Sequence, residues 1–159
     1  MKVLVVRFSS IGDIVLTTPV LRGLKEQIEN IEIHYLTKKQ FAPILQENPR
    51  IDKIYTIDNH IDELVDDLKK EKYAFIIDLH NNLRTKSLKF KLRRPSKSIN
   101  KLNWKKWFFV QLKINTMPRK HIVDRYFETV ASLGVKNDQK PSEYFISEND
   151  EVNVTEKLG

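Results

Sequence analysis

The apolar positions of this chain fall into short β-branched runs separated by longer stretches with helical spacing. Val3 to Phe8 is an apolar, β-branched run of the kind a strand buried on both faces requires. A polar turn, Ser9-Ser10-Ile11-Gly12, follows, and Ile14, Leu16, Val20, Leu21 and Leu24 then give a wide apolar stripe. The spacing predicts one helix from Asp13 to about Asn30. Ile31 to Thr37 alternates and predicts a second strand, with His34 on its polar phase as a solvent-edge or hydrogen-bonded residue. Lys38 to Glu47 reads as a short helix closed by Asn48-Pro49, Asp52 to Ile57 as a third strand, and Ile61 to Lys70 as a helix with an acidic outer face. Tyr73 to Leu79 is the second strongly apolar strand, followed by a helix over Leu83–Leu92. Lys97–Leu102, the helix His121–Leu133 capped by Gly134, and Tyr144–Ile146 complete the pattern.

Strands that alternate with helices pair in parallel through right-handed crossovers, so the expected fold is α/β: a Rossmann-like parallel sheet with helices on both faces. The first and fourth strands should be central. Such sheets hold ligands outside the carboxyl ends of their strands, where loops turn into helices. Asp13 is delivered to that edge after the first strand, and Asp78, His80 and Asn81 after the fourth. Asp13 reads either as a first-turn acid that caps its helix or as a group facing a ligand. Asp78 and His80 carry the same pair of readings, as strand-end and capping residues or as site residues. Ser9, Ser10 and the N–H groups of Ile11 and Gly12 form a turn suited to an anion, with Gly12 admitting close backbone approach.

Charge adds a second theme. The net charge of +7 is concentrated: residues 84–120 hold thirteen Lys or Arg and no Asp or Glu, while the rest carries 15 basic against 21 acidic residues. That asymmetry points to an anionic partner. Within it, Trp104, Trp107, Phe108 and Phe109 interleave with Lys105, Lys106 and Lys113, a mixture that suits a nucleic-acid surface, a membrane interface, or a helix packed on the sheet with its lysines in water. His121 and Arg125 share a helix face at i, i+4. The absence of Cys excludes disulfides and thiolate chemistry, and no run reaches the length of a membrane span. A cytoplasmic protein is expected.

The run VVRFSSIGDIVLTTPVLRGLK resembles the opening signature of the lipopolysaccharide heptosyltransferases, ADP-heptose-dependent glycosyltransferases of family 9: a strand ending in Arg, Ser-Ser-x-Gly-Asp, an apolar pair, Thr-x-Pro and a Leu-rich helix. DLHNNLRTKSL resembles a second family segment more loosely, with His80-Asn81 where many members have Gln-Gly. The resemblance implies the amino-terminal half of a GT-B type enzyme, residues 1–146 forming the acceptor-binding domain and 147–159 opening a segment toward an absent donor-binding half. It implies Asp13 as the base acting on the acceptor hydroxyl, and substrate-facing roles for Ser9, Ser10, Ile11, Gly12, Asp78, His80, Asn81, Arg84, Arg93, Arg94, His121 and Arg125. The implied chemistry is inverting transfer of heptose from ADP-heptose to the lipid A inner core, with no metal and no other cofactor. The implied partners are that anionic glycolipid, the sugar nucleotide and the inner membrane's cytoplasmic face, where the protein sits peripherally, with no nucleic acid. The competing reading is a Rossmann-like nucleotide- or nucleic-acid-binding module that uses residues 84–120.

Overall fold

Five parallel strands form one sheet in the order β3-β2-β1-β4-β5. They are β1 (Lys2–Val6), β2 (Glu32–Lys38), β3 (Lys53–Ile57), β4 (Phe75–Asp78) and β5 (Ser96–Ser98). This computed structural model describes residues 1–58, 60–100 and 121–146. The predicted boundary at 146/147, the basic aromatic stretch and the end of the Lys97–Leu102 strand lie outside them.

β1 is central because it is apolar on both faces. Val3 registers with Ile33 and Phe75, and Val5 with Tyr35 and Ile77. Val3, Val5, Ile33, Tyr35 and Ile77 build one core with α1 (Ile11–Val15), α2 (Thr18–Gln27), α3 (Pro43–Gln46) and α6 (Ile122–Phe127). Leu4, Val6, Leu36 and Ile76 build the opposite core with α4 (Asp62–Lys70) and α5 (Leu83–Leu92). Alternate residues of each strand feed alternate cores, so helices cover both faces as the patterning predicts.

Several boundaries differ from the periodicity. The stripe from Ile14 to Leu24 is carried by two helices, since Pro19 has no N–H to continue a ladder from α1. Thr18 Oγ1 donates to the Val15 carbonyl at 2.8 Å in its place. Pro43 similarly divides the 38–47 helix into a 3₁₀ turn, Lys39–Phe41, and the short α3. The helix expected to reach Leu133 ends at Phe127, and a 3₁₀ turn at Ala131–Leu133 leads to Gly134, whose φ of 81° fits its expected cap role. Tyr144–Ile146 forms no strand. It crosses Ile14, Thr18 and Leu45, held through Glu143 to Arg50 (2.6 Å) and through the Phe145 ring beneath the same guanidinium.

His34 is buried rather than at a solvent edge. Its Nδ1 pairs with Tyr73 OH and its Nε2 with Glu32 Oε1, both at 2.8 Å. Glu32, His34 and Glu71 place ligand-type atoms within 4.8 Å of one another at the amino edge of the sheet. These groups are already engaged: Lys2 lies 3.1 Å from Glu32 and 2.6 Å from Glu71, and Lys53 lies 2.7 Å from Glu71.

Candidate active site at the carboxyl edge

Because every strand is parallel, all five carboxyl ends open on one edge. The chain leaves β1 through Arg7 and the cis Ser9–Ser10 peptide and enters α1 at Ile11. Asp13 stands in the first turn, where a carboxylate complements the helix N-terminus. Its Oδ2 accepts from the Ser10 hydroxyl (2.9 Å) and the Ser10 N–H (3.3 Å), the backbone half of a capping box. The same oxygen lies 2.7 Å from Arg7 Nη2. No contact engages Oδ1 among the described residues, and the side chain is 37% exposed. Burial is the largest single influence and pushes the carboxyl up, but the Ser10 bonds and the Arg7 charge together hold it below the ordinary range. Asp13 is therefore ionised at neutral pH, with one oxygen clamped and one open.

Arg7 ties this corner together. Its Nε donates to the Ser9 carbonyl (2.6 Å), its Nη1 to the Leu79 carbonyl beyond β4 (2.5 Å), and its guanidinium lies 6.0 Å from the Tyr126 ring centre. One cation thus joins the exits of β1 and β4, and α6, to the carboxylate. The patterning did not single out Arg7; the available signal was a charged residue interrupting a run otherwise wholly apolar.

The remaining predicted residues divide into three groups. Ser10, Ile11 and Gly12 are exposed beside Asp13, with Ser9 half-buried, and a side-chain carbon on Gly12 would meet nothing within 4 Å, so this rim is open. His80 and Arg125 reach the same edge: the His80 ring tilts against Phe8 at 5.2 Å, and Arg125 donates to the Asn100 carbonyl.

Asp78 and Asn81 are brought to this edge but are used internally. Asp78 is fully buried, accepts from the N–H groups of His80 (3.1 Å) and Asn81 (2.7 Å), and pairs with Lys89 at 2.8 Å. Burial pushes its carboxyl up, and Lys89 with the Asn81 N–H outweighs that, leaving it below the usual range. Asn81 takes a left-handed φ of 48° and donates to the Ile99 carbonyl at 2.7 Å. Of the two readings the sequence left open, these bonds match the strand-end one, with both residues shaping the floor of this edge. His121 caps α6, its Nδ1 accepting from the Val123 N–H at 3.3 Å.

Arg93 and Arg94 do not join Asp13. α5 runs back against the strand direction, so its end lies about 15 Å from its start, toward the opposite edge of the sheet. Arg84, in its first turn, stays exposed on the outer side of α5 next to a cleft lined by His60 and Asp62.

No family model matches the chain. Lipopolysaccharide heptosyltransferase 1 of Campylobacter coli is 27% identical over 135 residues, 79% of this chain and 40% of that protein. Lipopolysaccharide heptosyltransferase 3 of Escherichia coli K12 is 28% identical over 140 residues, 78% of this chain and 40% of that protein. Over most of its length the chain is similar to the lipopolysaccharide heptosyltransferases, as its opening signature implies. It spans about 40% of the length of the curated heptosyltransferases it matches. The fold agrees: a family 9 glycosyl transferase from Veillonella parvula superposes with a TM-score of 0.71 at 23% identity, over 93% of this chain and 45% of that one. The E. coli ADP-heptose heptosyltransferase II does so with a TM-score of 0.71 at 15% identity, over 94% and 48%. In this chain, the strand, Ser-Ser-Ile-Gly turn and Asp that carried the resemblance are the elements that form the clamped carboxylate.

Proposed function

We propose that this chain is the acceptor-side, amino-terminal domain of an inverting glycosyltransferase that moves heptose from ADP-heptose to the inner core of lipopolysaccharide. The observation that carries the reading is Asp13, ionised, held through one oxygen by Arg7 and Ser10, and open through the other at the carboxyl edge of β1.

Transfer needs a base, a leaving group that departs with its charge stabilised, and restricted water. Asp13 Oδ1 takes the acceptor hydroxyl proton as that oxygen bonds to the anomeric carbon and the bond to the diphosphate breaks, releasing ADP with inversion. A carboxylate held below its usual range is a weak base toward a free alcohol. It becomes an adequate one late in the step, when the attacking oxygen has lost electron density and grown acidic. Ser9, Ser10 and the N–H groups of Ile11 and Gly12 face the developing negative charge. No metal is required in this scheme, as one carboxylate suffices and the sequence has no Asp-x-Asp triplet. The donor contacts belong to the part of the relatives this chain does not match, and the acceptor is an anionic glycolipid met at the cytoplasmic face of the inner membrane.

The test is product formation by the complete protein given ADP-heptose and a core acceptor lacking heptose. Release of ADP that depends on both compounds is expected. ADP release indifferent to the acceptor, or tight salt-sensitive binding of generic oligonucleotides with no transfer, would overturn the assignment.

A further inference from the structure

α5 is apolar on two opposite faces. Thr85, Leu88 and Leu92 are buried against the sheet, as a covering helix requires. On the far side Leu83 and Phe90 are 82% and 77% exposed. They are seven residues apart, so with Ser87 they line one ridge spanning roughly 60° of the helix surface. Lys86 flanks this ridge on one side and Arg84 on the other, and Arg93 and Arg94 follow at the helix end. An apolar ridge between cations is the arrangement of a helix lying in a lipid interface, chains inserted and cationic heads among the phosphates.

The charge is available to a partner. Lys89 and Lys91 are committed to Asp78 and Asp62, whereas Arg84, Lys86, Arg93, Arg94 and Lys97 have no carboxylate in ion-pair reach among the described residues. Residues 79–100 contain no acid. The neighbouring acids of α4 are largely answered nearby: Asp62 by Lys91, Asp66 by Lys69 at 3.5 Å and Asp67 by Lys70 at 2.8 Å.

We infer that the outer ridge of α5, Leu83–Ser87–Phe90 with Arg84, Lys86, Arg93 and Arg94, docks this domain on an anionic lipid surface. This assigns Arg93 and Arg94, remote from Asp13, to the membrane rather than to the reacting sugar. It extends the membrane partner of the reading above, and vesicle binding is measured without any transfer, so the two can fail separately.

The experiment is flotation of the protein with vesicles of phosphatidylcholine alone or mixed with phosphatidylglycerol at physiological salt. Wild type should favour the anionic vesicles. The pair Leu83→Ser and Phe90→Ser should weaken that binding about tenfold, given the apolar surface withdrawn. Arg93→Ala and Arg94→Ala should weaken it about fivefold each. Glu63→Gln should not weaken it. Both apolar positions are exposed, so thermal unfolding of the Ser variant should match wild type and exclude misfolding. Equal partition onto both vesicle types, unchanged binding by the Ser and Ala variants, or a dimer in solution that the Ser pair abolishes would overturn the inference; the last result would give the ridge to a second copy of the chain.

Discussion

Arg7 and Asp13 form an ion pair at 2.7 Å, and on the proposed reading this pair sets the base. Removing the guanidinium leaves burial, the largest influence, pushing the Asp13 carboxyl up against Ser10 alone. A base works above its own pKa, so Arg7→Met in the complete enzyme should move the acidic limb of the kcat/KM profile to higher pH. A limb that stays in place would show that Arg7 does not govern Asp13. Tyr126 offers the contrasting case. Its hydroxyl is buried with no hydrogen-bond partner among the described residues, while its ring lies near Arg7. Tyr126→Phe should therefore change stability by less than about 1 kcal/mol in thermal unfolding, because no bond is lost and an unsatisfied group is removed. At this scale the sequence pointed to Asp13 through the turn that delivers it. It could not show that Asp78 would be enclosed, since a strand-end Asp reads the same whether its oxygens meet solvent or backbone.

At the scale of elements, the strands were legible because β-branched runs buried on both faces have few other solutions. Helix ends were less so, because the apolar stripe runs straight through Pro19 and Pro43 and periodicity does not register a missing N–H. Packing adds constraints no pattern displays. Gly23 lies where α2 meets the end of α6, and a side-chain carbon there would approach Phe127 and Val135 at 3.0 Å. Gly23→Val should cost about 1–3 kcal/mol from overpacking, measured by denaturant unfolding. The 138–143 segment is held by Arg22, 2% exposed, whose Nε and Nη2 donate to Asp138 at 2.7 and 2.9 Å. Arg22 pulls the Asp138 carboxyl down to about 2, so its stabilisation is complete above the ordinary carboxylate pKa and is lost as pH falls through about 2. Asp138→Asn should cost about 2 kcal/mol near neutrality, since charge-assisted bonds are lost while Arg22 keeps Glu143 at 3.1 Å and the carbonyls of Lys140 and Pro141, and should flatten stability across that acid window.

Over the whole molecule, parallel topology does the sorting. It gathers the exits of β1 and β4 at one edge, joined by Arg7, and sends the cationic end of α5 toward the other. Linear sequence lists Asp13, Arg84 and Arg93 as parts of one anionic-substrate theme; the fold separates them, Asp13 to the carboxyl edge of the sheet and the two arginines to the outer side and the end of α5. Charge asymmetry was legible, but its division between these two places was not, since that depends on the direction in which α5 runs. The claim on which everything else depends is that the open oxygen of Asp13 accepts the acceptor proton. The direct measurement is the transfer rate of the complete enzyme with Asp13→Asn, an isosteric change that keeps the turn and the Ser10 contact. The rate should fall about 10²–10⁴-fold with acceptor binding and thermal unfolding unchanged; a variant that transfers heptose at the wild-type rate would contradict the account.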